Sequence, residues 1–156
     1  MRARDNPFAT RHLEAIGYRF PDGDSLDALL RRLELHQWHG AIVGPHGSGK
    51  SNLLEQLEPH LRSRGFEPIL VRFTADTTAA AKRHALQHLC PTRFLLLDGA
   101  EQLSLWSWWR LRRRLRRAPG LLVTQHRPGR LPTVLRCQTS PALLTALSVH
   151  LTGTLP

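Results

Sequence analysis

Eight residues, Gly44-Pro45-His46-Gly47-Ser48-Gly49-Lys50-Ser51, combine three kinds of chemistry in the spacing G-x-x-x-x-G-K-S. Glycines allow a turn whose backbone N–H groups converge on an anion, because no Cβ obstructs the inward-facing amides. A helix that starts where the loop ends aims its positive terminus at the same point. Lys50 adds a compact point charge able to reach the outer phosphates of a polyphosphate, and the Ser51 hydroxyl is a hard oxygen suited to Mg2+. Gly44, Pro45, His46, Gly47, Ser48, Gly49, Lys50, Ser51 and Asn52 are the candidate nucleotide-binding residues. The competing reading is a glycine-rich turn without a ligand. The flanks argue against it: His39–Val43 is a short apolar run leading into the loop, and Asn52–Leu57 continues as an amphipathic helix.

A second site of chemistry lies about fifty residues further on. Phe94-Leu95-Leu96-Leu97-Asp98 is an apolar run ending in one carboxylate, the pattern of a buried strand that delivers an aspartate to a Mg2+ shell at its carboxyl end. Ser51 and Asp98 are the candidate metal ligands.

Elements able to position these groups follow from punctuation and periodicity. A segment at 6–16 reads as helical, with Gly17 as its stop. Asp24 or Ser25 caps a helix with Leu26, Leu29, Leu30 and Leu33 on one stripe, running to about His36. Strands are expected at 40–43, 68–73, 94–98, 121–124 and 133–137. Helices are expected from the loop to about Ser63 (with Pro59 inside and Gly65 as C-terminal cap), at 79–89, at 104–117, and from Ser140-Pro141 to about Leu151. Alternating strands and helices predict an α/β fold with a mostly parallel five-stranded sheet and helices on both faces. One domain is expected over 1–156, with an N-terminal helical segment at 1–37 and a core at 38–151.

Composition narrows the partners. No apolar run approaches the ~20 residues of a membrane span, the first residues lack the apolar stretch of a signal peptide, and two cysteines imply no disulfide framework. A cytoplasmic setting is the expectation. His84 and His88 share helical i,i+4 spacing, but no third ligand is near in sequence. The net charge is +10, and all twelve acidic residues lie at or before Glu101. Residues 102–156 hold nine arginines, no lysine and no acid, which suggests a polyanionic partner: nucleic acid, an acidic protein surface, or the nucleotide itself. A helical wheel of 105–117 sets Leu105, Trp108, Leu111 and Leu115 on an arc expected to pack on the sheet. Trp106, Arg110, Arg113, Arg114 and Arg117 fall on the opposite arc, where they would bind phosphates and a base or form a solvated face.

The two motifs together resemble the P-loop NTPases, and within them the ATPase branch of AAA and RecA-like proteins, over residues 38–151. In that resemblance Gly44–Ser51 is the Walker A motif and Leu95–Asp98 the Walker B motif. It implies a three-layer fold with sheet order 5-1-4-3-2, ATP and Mg2+ as cofactors, and Lys50 as the phosphate-binding lysine. It also implies a polar sensor at the tip of the fourth strand, Thr124, with Gln125 or His126 beside it. Asp98-Gly99-Ala100-Glu101-Gln102 departs from the branch, whose catalytic glutamate directly follows the aspartate. Gly99 stands there and Glu101 is the nearest carboxylate, although the Asp-Gly-x-Asp-Glu run of NACHT-type ATPases also has glycine at that place. Nineteen residues of the sequence follow the last expected strand, too few for the helical lid of AAA proteins. Arg116 and Arg117 match the region from which such oligomers extend an arginine finger into a neighbour, so a homo-oligomer is one expectation. The expected activity is slow Mg2+-dependent ATP hydrolysis, with Lys50, Glu101 and Thr124 as catalytic candidates. The alternatives are a nucleotide-dependent binding module that does not hydrolyse, and a small-molecule kinase in which Arg127-Pro128-Gly129-Arg130 serves as a lid segment.

Overall fold

Ser25 adopts an extended conformation and its side chain accepts the Ala28 N–H. This satisfies one of the donors that a helix start leaves open and sets the beginning of α1 (Leu26–Leu35). The computed structural model describes residues 18–138. After α1 come β1 (His39–Val43), α2 (Lys50–Ser63), β2 (Pro68–Arg72), α3 (Ala79–Gln87), β3 (Phe94–Asp98), a 3-10 turn (Ala100–Gln102), α4 (Leu105–Arg114), β4 (Leu121–Gln125) and β5 (Thr133–Arg136). The helices expected at 6–16 and from Ser140 to Leu151 lie outside the described residues. No helix among the described residues is long and apolar enough to cross a membrane.

The five strands form one sheet in the order β2-β3-β4-β1-β5, and every pair is parallel. Read from the other edge, this is the order 5-1-4-3-2. Parallel strands require crossovers, and helices supply them on both faces. The strand residues alternate accordingly. Ile42, Phe94, Leu96 and Leu122 face one cluster, which α1 and α2 fill with Leu29, Leu33, Leu53, Leu54, Leu57 and Leu61. Ala41, Val43, Leu95, Leu97, Leu121 and Val123 face the other, which Leu111 and Leu115 of the α4 segment fill, with half-buried Ala85 and Leu86 of α3 beside them. The result is a three-layer α/β architecture in which α1 belongs to the core rather than to a separate segment.

In-register pairing brings the carboxyl ends of the strands together. Val43 lies opposite Gln125, Leu97 opposite Val123, and Arg72 opposite Asp98. Chain leaving β1 enters α2 on one face, and chain leaving β3 enters α4 on the other. The loops after β1, β3 and β4 thus converge outside the carboxyl edge, where open α/β sheets form their crevices.

Several boundaries differ from expectation. β2 ends at Arg72 and α3 at Gln87. α4 ends at Arg114, because buried Leu115 forms its C-cap. Leu105 is 79 % exposed instead of packing on the sheet. At about 100° per residue it sits roughly 90° from the mean direction of Trp108, Leu111 and Leu115, so those three can point inward only if Leu105 points sideways.

Candidate functional site

The loop 44–49 is tied to the sheet at its first residue: the Gly44 N–H donates to Gln125 O at 3.1 Å. A Cβ on Gly44 would lie 2.6 Å from the Cys137 carbonyl oxygen, so this strand exit admits only glycine. Gly49 has φ +80° and precedes α2 without any side-chain cap. The first turn of α2 holds no acid and begins with Lys50, a cation set against the positive end of the dipole. Lys50 is only 8 % exposed. Its ammonium donates to Gly44 O at 2.7 Å, Pro45 O at 2.5 Å and Ser48 Oγ at 3.4 Å. Among the described residues no carboxylate forms an ion pair with it. Burial lowers its pKa, partly opposed by Cys137, Glu101 and Asp98. Ser48 is buried and donates to Pro45 O at 2.8 Å. An uncapped helix start and a buried cation held by carbonyl dipoles violate the usual local rules in the one direction that favours an anion.

Both oxygens of Asp98 are engaged. Thr124 Oγ1 donates to Oδ1 at 2.6 Å, and Arg72 Nε donates to Oδ2 at 2.9 Å. Thr124, 1 % exposed, also accepts the Gly99 N–H at 2.9 Å. The proposed sensor hydroxyl therefore holds the end of β3. Each Asp98 oxygen keeps a further acceptor position. Mg2+ retains most of its waters and takes few protein ligands, so Asp98 fits as acceptor for metal-bound water, with the exposed Ser51 hydroxyl at the start of α2. Asn52 accepts from Gln56 Nε2 at 3.2 Å. Arg72 was not legible as a site residue. Its signal is positional, because it ends β2 where Asp98 ends β3 in a parallel pair.

The backbone after Asp98 requires glycine at position 99. Its φ is +83°, and a Cβ would lie 2.1 Å from the Phe73 carbonyl oxygen. No other residue fits directly after Asp98. The nearest carboxylate, Glu101, sits in the 3-10 turn, and Arg130 braces that turn by donating to Ala100 O at 2.8 Å and Leu103 O at 2.6 Å. Arg130 also lies over the Trp108 ring at 5.2 Å, and burial lowers its pKa against the pull of Glu101. Glu101 Oε1 is 3.2 Å from His126 Nε2, while Oε2 is buried without a partner among the described residues. The His126 ring lies 3.8 Å from that of loop residue His46. Loop, 3-10 turn and β4 exit thus bring His46, Glu101 and His126 together beside Lys50. The sequence singled out Glu101 but not its pairing with a histidine.

Away from this edge, α4 carries Trp106 and Trp109 in the open, stacked at 5.1 Å, with Arg113 over Trp109 at 5.5 Å. Arg110, Arg113, Arg116 and Arg117 are exposed. Arg114, of the same arc, is exposed too, but its Nη2 donates to Leu89 O at 3.0 Å. The His84 and His88 rings lie 4.2 Å apart with planes tilted by 33°, and His88 Nδ1 is bonded to His84 O.

No protein-family model and no curated protein sequence matches the chain.

Proposed function

We propose that this chain is an ATP-binding protein of the P-loop kind and a slow Mg2+-dependent ATPase. The observation that carries the reading is Lys50, a buried cation without a carboxylate partner among the described residues, at a helix start with no side-chain cap beneath a glycine loop. In this reading the Lys50 ammonium leaves its carbonyls for the outer phosphates, and the amides of 44–52 take the remaining oxygens. Mg2+, when bound, neutralises charge on the phosphate oxygens; Ser51 and Asp98 would hold it. Glu101 orients water through its carboxylate. Thr124 acts through Asp98 and is a positioning residue.

A second reading, a nucleotide-dependent binding module without hydrolysis, is favoured by the backbone at Gly99, which bars a glutamate from the place next to Asp98. The small-molecule kinase stays the third alternative: of its lid segment, Arg130 is bonded to the Ala100 and Leu103 carbonyls and Arg127 is exposed. In the first two readings the exposed face of α4 meets a polyanion, nucleic acid or an acidic protein surface, in a cytoplasmic setting, or extends Arg116 or Arg117 toward a second copy. The deciding experiment is thermal denaturation with Mg-ATP followed by phosphate-release assays with and without DNA or RNA. A ligand-induced shift with measurable release supports the ATPase. A shift without release under every partner condition supports the module, and the absence of any shift overturns nucleotide binding.

A further inference from the structure

Three flat groups stack along α4. The Trp106 and Trp109 rings lie 5.1 Å apart with planes inclined by 19°, and the Arg113 guanidinium covers Trp109 at 5.5 Å. Trp109 is one helical turn from each of the others, so it is the middle of the stack and Trp106 is its open end. Trp106 is 65 % exposed, and no second ring or cation lies over it among the described residues. At about 100° per residue, Trp106, Trp109, Arg110 and Arg113 share an arc of roughly 100°, opposite the side on which Leu111 and Leu115 meet the sheet. The helix dipole accounts for arginines in the last turn of α4. It gives no reason to keep two large apolar rings in water, when Trp38 and Trp108 pack against the two cores.

The charge around this stack is one-sided. Segment 77–125, which supplies α3 and α4, holds nine Lys and Arg residues and two acids, and both acids, Asp98 and Glu101, lie at the carboxyl edge with the loop. Segment 18–67, which supplies α1 and α2, holds seven acids against six Lys and Arg residues. The sheet therefore separates a nearly neutral layer from a strongly basic one.

We propose that the α4 layer binds a single strand of nucleic acid, one base stacking on the open face of Trp106 while Arg110, Arg113 and Arg117 take the neighbouring phosphates. The inference deepens the polyanion reading of α4 and rests on it, not on the nucleotide reading of the loop. All three arginines are exposed. A flat apolar ring beside guanidinium groups matches a base beside its phosphodiesters, and every base has a π-face to offer. A duplex hides those faces in its own stack. An acidic peptide matches the charge but has no flat face at each repeat. Trp109 touches no base in this arrangement. Covered by Arg113, it fixes the plane of Trp106 and is a positioning residue. A ring already held in its stack loses little freedom when a base adds to it.

The test is fluorescence titration of the full chain with oligo(dT) and oligo(U) of about twenty nucleotides, at two salt concentrations, beside a duplex of the same length and poly-L-glutamate. The two sugars separate DNA from RNA as the source of the strand. We expect single strands to quench tryptophan emission, to bind more tightly than the duplex, and to outcompete polyglutamate at equal charge. Trp106→Ala should weaken strand binding at least about fivefold, the low end for one lost base stack, with the salt slope unchanged. Trp106→Phe should recover most of that loss. Trp109→Ala should weaken binding when Trp106 is present and add little to Trp106→Ala, a non-additivity that a purely structural role lacks. Both rings face solvent, and unchanged melting temperatures establish that the variants fold. Equal affinity for strand and duplex, or wild-type strand affinity in Trp106→Ala, overturns the base platform while a salt-dependent polyanion face stands. Polyglutamate binding as tightly as the strands overturns it in favour of an acidic protein. Undetectable binding of every polyanion overturns the platform and the polyanion reading together, whereas the Mg-ATP thermal shift answers to the loop alone.

Discussion

Arg72 Nε donates to Asp98 Oδ2 at 2.9 Å, and the same guanidinium donates through its other arm to Glu55 Oε1 at 2.6 Å. One side chain thereby joins β2, β3 and α2 at the carboxyl edge. The hydrogen bond to Glu55 leads in raising the Arg72 pKa. Thr124 holds the other Asp98 oxygen from β4. The two grips differ in burial, and so should their removal. Thr124→Val strips a buried carboxylate of a donor and the Gly99 N–H of its acceptor, and should cost about 2–3 kcal/mol. Thr124→Ser should recover most of it. Arg72→Met, at a more exposed group, should cost about 1 kcal/mol. Urea denaturation of the three variants checks the order.

Gly99 should tolerate no side chain. Positive φ and a Cβ only 2.1 Å from Phe73 O act together, so Gly99→Ala and Gly99→Glu should each lose about 3 kcal/mol or more. Restoring a glutamate after Asp98 should therefore yield an unstable protein, not a faster one. A Gly99→Glu variant as stable as wild type, read by thermal denaturation, contradicts the close approach.

Lys50→Met separates ligand binding from folding. With Mg-ATP at about a hundred times Kd, wild type should gain about 2.7 kcal/mol, and Lys50→Met should gain none. Without ligand the variant should be no less stable, and up to about 1 kcal/mol more so, because an unpaired buried charge is gone. The lowered Lys50 pKa sets the pH sign. The unfolded chain binds more protons between the folded pKa and 10.5, so wild-type stability rises with pH in that window and the advantage of Lys50→Met narrows. Denaturation at neutral and alkaline pH measures both effects.

Glu101→Gln should keep nucleotide affinity and lower turnover at least tenfold, since an amide cannot take the proton of the attacking water. Arg130→Met loosens the turn that carries Glu101 without touching its carboxylate, and should lower turnover while leaving the nucleotide Kd unchanged. Single-turnover phosphate release alongside a binding titration distinguishes the two losses. Wild-type turnover in Glu101→Gln assigns the residue to structure.

If α4 binds nucleic acid, affinity should fall steeply with salt, because phosphate contacts release counterions. Arg113→Ala should flatten that dependence. Arg114→Ala should not, because its guanidinium is bonded to Leu89 O; it should lower stability instead. Trp106→Ala should weaken single-strand binding by about 1–3 kcal/mol if the ring stacks a base. Filter binding at two salt concentrations reads all three, and salt-independent or undetectable binding leaves a protein partner for this face.

What the sequence by itself determined is local. Glycine spacing at 44–51 and the apolar run ending at Asp98 name the loop and the strand end, because each depends on neighbours a few residues apart. The three-layer α/β fold follows from alternating strand and helix signals, and the strand order from the resemblance those motifs carry. Tertiary structure alone decided which side chains meet. Arg72 and Asp98 are 26 residues apart, and Arg130 and Ala100 are 30 apart; the parallel sheet joins them by aligning strand ends. The same alignment turns Thr124 onto Asp98 and sets His126 between Glu101 and His46. Leu105 shows the limit from the other side. Its wheel position places it on the arc expected to pack, and only the seating of Leu111 and Leu115 against the sheet decided that it would face solvent. Periodicity specifies a direction around a helix axis; the packing of that axis against the sheet specifies how wide the buried arc is.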